Sequence, residues 1–457
     1  MEQEKELSKL GTQPVGKLLI TTGLPMILSM VLQAVYNIVD SAFVSNIEGY
    51  GEAAFNALTL AFPVQMLMVA ISIGTGVGMG ALLSKSLGQN DSEKVNYTAG
   101  NAEFLAIVIY AVFVLFGFFG VDFYLHTQTD NAEIIAMAAD YLTICCTMSI
   151  GIVFFAVFEK LLQATGRSLF STIAQMAGAI TNIVLDPIMI YGLLGCPQLG
   201  VKGAAYATVI GQIVSMAVGL IFHIKLNKEV TNGIKYLKPS AKIIGRIYSI
   251  GLPAIIAQAL MSVMTYGMNI ILNTVSTGCV TAYGLYYKIQ QFFLFAAFGM
   301  RDAITPVISF AHGMGSKKRI TDGIKYGMIF TLVIMAAGMI IIECLAYPLA
   351  GIFSLSGETL DLCIEAMRIV SLSFVFAGAN IAFQGIFQAV DSGMPSLIVS
   401  VCRQLLFVLP VAWGFALLVT GGAVGTWILW TTFIIAEGVS ALISVLFMVR
   451  IYKKKIA

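Results

Sequence analysis

Asn182 and Asp186 stand four residues apart inside an apolar run from about Leu169 to Leu194, and Pro187 follows at once. At ~1.5 Å per residue such a run is long enough to cross the ~30 Å hydrocarbon layer as a helix. A spacing of four puts the amide and the carboxylate on one helical face, one turn apart. An ionisable group at that depth is costly, so an unforced Asp there is a candidate functional group. Pro187 withholds its amide hydrogen and leaves the carbonyl of Ile183 without its usual partner. Carboxylate, amide and loosened backbone together describe a cation or proton site. The competing reading is a kinked helix whose Asp is hydrogen-bonded to a neighbour.

The composition says what kind of element must hold these groups. The chain has 457 residues, 58% hydrophobic and 11% charged, with a mean hydropathy of +0.89. A soluble domain carries about 25% charged residues, so an all-α polytopic membrane protein is predicted. The seven cysteines show no metal-ligand spacing and the three histidines (His126, His223, His312) form no cluster. No metal centre or cofactor is expected, and no nucleic-acid partner. Gly74, Gly76, Gly78 and Gly80 read as close helix packing, since no basic residue of a nucleotide loop follows them. No cleavable signal precedes the first span, which is expected to stay as an anchor.

Apolar windows predict twelve spans, at roughly 16–44, 54–83, 96–120, 134–160, 168–193, 203–225, 243–273, 281–311, 321–345, 361–387, 395–418 and 424–449. Most of the 26 Lys and Arg fall in the amino terminus and in alternate joints such as Ser84–Lys94, Lys225–Lys242, His312–Lys325 and Arg450–Lys455. Of the opposite joints, only the one with Lys202 carries a basic residue. The positive-inside rule then puts both termini in the cytoplasm, in a multi-pass protein of the cell membrane. The expected organisation is a cytoplasmic tail (1–15), an amino-terminal six-helix lobe (16–225), a cytoplasmic linker (226–242), a carboxyl-terminal six-helix lobe (243–449) and a basic tail (450–457). The halves repeat each other. Gly23-Leu24-Pro25 recurs as Gly251-Leu252-Pro253, and Phe158-Glu159-Lys160-Leu161-Leu162-Gln163-Ala164 pairs with Phe383-Gln384-Gly385-Ile386-Phe387-Gln388-Ala389. Parallel repeats of this kind are a transporter habit.

Counting turns along these spans brings more polar groups to one depth. Asp40 lies about a turn before the outer end of the first span, Asp186 about two turns before the end of the fifth, and Thr208 about a turn into the sixth. Two carboxylates brought together in low dielectric need a shared proton or a cation between them. The carboxyl-terminal repeat lacks the acids: Met268 stands where Asp40 maps, and Leu409-Pro410 where Asp186-Pro187 map. A packing requirement would recur in both halves, so the asymmetry argues for function.

These features, with Tyr36-Asn37-Ile38-Val39-Asp40 and Gln163-Ala164-Thr165-Gly166, make the sequence similar to the multidrug and toxic compound extrusion (MATE) family, and it resembles the DinF-type prokaryotic branch. The resemblance covers nearly the whole chain. It implies a V-shaped pair of bundles that alternates access and exports amphiphilic drugs or organic cations against H+ or Na+. It further implies a proton or cation site at Asp40, Asn182 and Asp186, extended to Thr208 and Tyr36, with Na+ possible at the first three. Another branch of the family also uses a Glu in the seventh span; the matching place here, about Met261, is apolar. Pro25 and Pro187 are expected to act as helix-bending points.

Charged residues elsewhere suggest lesser roles. Glu159, Arg301 and Arg403 fall in the inner third and are candidates for an inner gate, against simple snorkelling and local pairing. Lys288 and Glu437 lie deeper and are candidates for a carboxyl-lobe cavity, against pairing between helices. The expected partners are small amphiphilic molecules and the lipid bilayer, with the protein a monomer. A lipid-linked oligosaccharide flippase is the alternative function, weakened by the near absence of Arg in the amino-terminal spans. An intramembrane enzyme is disfavoured by the six-plus-six repeat, and no enzymatic activity is expected.

Overall fold

The computed structural model describes residues 9–45, 47, 51–351 and 357–456; for residues 37, 38, 41, 42, 45, 51, 52, 55 and 351 only the backbone is described. Most of the tail 1–15 and parts of the joints 46–52 and 354–361 therefore lie outside the described residues. All regular structure among the described residues is helical. Ten helices are long and apolar enough to cross a membrane. Two bent pairs bring the number to twelve if each counts as one span: Ala132–Thr147 with Ile150–Ala164, bent by 45°, and Gly357–Ser371 with Phe374–Ala389, bent by 51°. Side chains such as Leu115, Phe118 and Phe119 are exposed on the Ser92–Phe119 helix, an apolar surface suited to hydrocarbon. The chain is a multi-pass membrane protein.

The helices overrun the apolar windows that announced them. The second span is Gly51–Gly88 and the ninth Lys317–Gly351. Side-chain caps set several starts, because the first backbone N–H groups of a helix have no partner of their own. Asp91 accepts from the amide of Lys94 at 3.0 Å, Asn131 from Glu133 at 3.0 Å and Ser276 from Cys279 at 3.1 Å. The fifth span, Ser168–Tyr191, ends at Gly192, whose φ of 74° is a left-handed turn open to glycine at little cost.

The prolines do not mark the breaks. Pro25 and Pro187 lie inside unbroken helices, Val15–Ser45 and Ser168–Tyr191, so the kink predicted at Pro187 interrupts nothing. The two bends fall at Met148-Ser149 and Leu372-Ser373, in the equivalent spans of the two repeats. Both sites are apolar enough to be invisible to a hydropathy window. A π-helical turn, Cys402–Leu406, interrupts the eleventh span, and Arg403 and Gln404 within it are buried.

The chain divides into two compact units: residues 1–12 with 28–255, and residues 13–27 with 256–457. The first span is thus shared, whereas the sequence reading assigned it whole to the first lobe. In the first unit, one apolar cluster gathers Val44, Leu125, Tyr141, Cys145 and Ile190, and a second gathers Met79, Leu83, Val95, Val157 and Leu161. In the second unit one cluster includes Met268, Tyr283, Phe374, Trp430 and Phe433. The segment 226–242, expected as a joint between lobes, is laid along the third span. Asn96 accepts from the amide of Thr231 at 2.7 Å and Asn101 from that of Ser240 at 2.8 Å. Tyr236 packs edge-on against Tyr97 at 5.1 Å.

Candidate cation site

Three helices of the first unit bring the acidic pair and its neighbours together. The fifth span and the sixth, Val201–Leu226, approach closely because both present glycine at the crossing. A Cβ on Gly211 would meet the carbonyl oxygen of Gly178 at 2.7 Å and Asn182 Cβ at 3.0 Å. Backbones that close leave room for small polar side chains and little else. Asn182 and Asp186 are both buried on this face. Asn182 Nδ2 donates to Asp186 Oδ1 at 3.3 Å. Asp40, from the first span, meets Asp186 within hydrogen-bonding range, and Tyr36, one turn earlier, feels the charge of both.

The unsatisfied atoms define the chemistry. Asp40 Oδ1, Asp186 Oδ2 and Asn182 Oδ1 are buried and no donor reaches any of them. A buried acceptor without a donor is expensive, and three such oxygens on neighbouring residues call for something positive. Two ionised carboxylates cannot share this separation unless a proton or a cation lies between them. The donor set is all oxygen: two carboxylates and an amide carbonyl suit a hard monovalent cation or a proton. Among the described residues no group of three or more His, Cys, Asp or Glu is arranged to hold a metal ion.

The structure adds residues that sequence reasoning missed. Gln65 Nε2 donates to Tyr141 Oη at 3.1 Å and lies 3.7 Å from Cys145 Sγ, and Tyr141 also contacts Thr208. Thr208 therefore reaches the cluster together with Tyr141. Beside Asn182 a cavity of about 100 Å³ runs between the helices, lined by Gln33, Tyr36, Gln175, Asn182, Thr208 and Gln212 among others. Four glutamines in apolar spans (Gln33, Gln65, Gln175 and Gln212) were the signal available in the sequence, and they were passed over because glutamine carries no charge.

Among the remaining candidates, the gate residues have the local partners that were the competing reading. Glu159 lines the same cavity and accepts from Gln163 Nε2 at 2.9 Å. Arg301 pairs with its neighbour Asp302 at 2.9 Å and covers the Phe298 ring at 4.8 Å. Arg403 donates to Glu437 through Nε at 3.0 Å, and Asn380 Nδ2 donates to the other carboxylate oxygen at 2.8 Å. The three residues proposed as one inner gate thus each have a partner inside their own unit. Lys288 is exposed, and the buried cation beside Glu437 is Arg403. Of the two candidates for a carboxyl-lobe cavity, Glu437 is thus engaged in pairing between helices, the competing reading.

The family model MatE matches residues 25–188 and 253–413, one segment in each repeat. The multidrug export protein MepA of Staphylococcus saprophyticus is 24% identical over 446 residues, covering 97% of this chain and 96% of that protein. MepA of Staphylococcus aureus is 25% identical over 450 residues with the same coverage. Among solved structures, an outward-facing multidrug resistance MATE family transporter of the MOP superfamily matches with a TM-score of 0.91 and 25% identity over 99% of both chains. A MOP superfamily transporter from Pyrococcus furiosus, described as having a binding pocket of reversed polarity, shares the fold at a TM-score of 0.85 and 24% identity, over 98% of this chain and 99% of that one.

Proposed function

The chain belongs to the MATE family, and from that premise we propose that it exports amphiphilic, mostly cationic organic compounds from the cell in exchange for H+ or Na+. The observation that carries this reading is the Asp40–Asp186 pair, with three buried oxygens that no donor reaches. An acidic site of this kind serves the coupling ion. Protonating the pair, or placing Na+ between its members, removes the attraction that the same charge exerts on a bound organic cation. Ion and substrate then compete through one free-energy cycle, and the binding of either favours release of the other. Pro25 and Pro187 are the points at which the first and fifth spans yield when this charge changes. Access alternates between the two six-helix halves, with both termini on the cytoplasmic side of the cell membrane.

The flippase alternative needs cationic side chains to hold a lipid-linked pyrophosphate. The cavity beside Asn182 is lined by amides, hydroxyls and Glu159, with no Lys or Arg among its lining residues. Export of ethidium from proteoliposomes under an imposed pH or Na+ gradient tests the proposal. Gradient-driven export that is lost in Asp40→Asn supports it. Export by the wild-type protein that ignores both gradients overturns it.

A further inference from the structure

The cavity in the first unit is lined both by Asn182, which holds the acid Asp186, and by a further acid, Glu159. On the fifth span it is lined from Gln175 to Asn182 and on the sixth from Thr208 to Ser215, seven residues each, which is ~10 Å along a helix. At one end Asn182 holds Asp186, and through it the Asp40 pair. At the other end Gln175 accepts from Ser29 of the first span, and Glu159 enters from the Ile150–Ala164 helix. Gln33 and Gln212 line the wall between. A cavity of about 100 Å³ has room for several waters, and three waters bridge ~10 Å at hydrogen-bond spacing.

Glu159 is built into this wall. It is 6% exposed and Gln163 Nε2 fixes one carboxylate oxygen, while Lys160 Nζ donates to Gln163 Oε1 at 2.9 Å and orients that amide. The internal repeat supplies an independent argument. Asp40, Asp186 and Glu159 correspond to Met268, Leu409 and Gln384 in the other half, so all three acids are lost there together. Gln384 there donates to Ser400 at 2.8 Å as part of the packing.

We infer that Glu159 is the second carboxylate station of the coupling-ion path, receiving the cation from the Asp40–Asp186 pair and passing it to the cytoplasmic side. This inference rests on the proposed ion-coupled export. When the ion is a proton, the pair gives up one proton as the Glu159 carboxylate becomes a carboxylic acid, and release to the cytoplasm restores the carboxylate. When it is Na+, the ion carries its own charge from one carboxylate to the next. Ionisable groups near Glu159 include Lys160 on its own helix and His223 of the sixth, which stacks on Phe158, while Tyr36 of the first span lines the same cavity. The second and fifth spans contribute Ser72 and Gln175, which do not titrate.

The test uses the full-length protein in proteoliposomes, with ethidium as substrate and gradients of H+ and Na+ imposed separately. Glu159→Gln is expected to slow gradient-driven export by at least about tenfold and to flatten its dependence on pH at the cytoplasmic face. Equilibrium ethidium binding in detergent should remain at the wild-type level, and Glu159→Asp should recover most of the transport. Wild-type rate and pH profile in Glu159→Gln overturn the inference while leaving ion-coupled export intact. So does loss of both binding and transport in Glu159→Asp, which would make the residue structural. Wild-type protein that exports under neither gradient overturns the exporter reading itself.

Discussion

Asn182 gives its amide hydrogen to Asp186 at 3.3 Å and keeps its own carbonyl oxygen buried with no donor in reach. One side chain thus steadies the acid and offers a ligand on the opposite side. That double role ties the acidic pair to the cavity beside it, and the predictions below start from it.

Asp40→Asn keeps the size of the side chain and removes the charge that the coupling ion must meet. Ethidium efflux in cells is expected to fall to the level of cells lacking the protein, with the variant present in the membrane fraction at wild-type amounts. Efflux close to wild type would leave the proposed coupling without its acid.

Asn182→Ala takes away the donor that Asp186 uses and the buried carbonyl oxygen that no donor reaches. Leaving a buried polar group unsatisfied costs about 1–3 kcal/mol, so the thermal midpoint in detergent should drop. Transport should need a steeper ion gradient to reach half its maximal rate. Asn182→Asp adds a third acid to the cluster and is expected to impair export more severely than the Ala variant.

Gly211→Val tests the helix crossing beneath the site. The first added carbon would meet Gly178 and Asn182 at 2.7 and 3.0 Å, forcing the fifth and sixth spans apart. Overpacking of this kind costs about 1–3 kcal/mol, and export should fall with stability because Asn182 moves with the backbone. Gly245→Val, where a Cβ would have open space, is the control and should leave both unchanged.

Arg403 and Glu437 form a buried ion pair in the second unit, with side chains 7% and 13% exposed. Removing one partner strands the other charge, a loss of about 3–5 kcal/mol. Arg403→Met and Glu437→Met should each lower the thermal midpoint, and the double variant should sit above both singles. A double variant less stable than either single would mean that the pair contributes far more than charge compensation.

Much of the fold was legible because a hydrocarbon solvent leaves the chain few choices. Unpaired backbone polar groups are costly there, so long apolar runs must be helices, and the duplicated Gly-Leu-Pro openings announced two halves. The acids were legible for the same reason, since a lone Asp in such a run demands an explanation. The bends at Met148-Ser149 and Leu372-Ser373 were not, because an apolar run looks the same whether its helix is straight or bent. The glutamines of the cavity were missed because a neutral amide costs too little to stand out.

The sequence alone determined what lies in the membrane and at what depth, because burial of polar groups and the rise of a helix depend only on residue type and spacing. It could place Asp40, Asn182 and Asp186 at one level, and it put Arg403 in the inner third with Glu437 deeper. Which side chains meet was decided by how each helix is rotated about its axis, and that follows from contacts between residues far apart in the chain. Gly178 against Gly211 sets the crossing at which Asn182 and Asp186 are buried, and a π-turn carries Arg403, which pairs with Glu437, while Lys288 is left exposed. Only the tertiary structure holds those rotations.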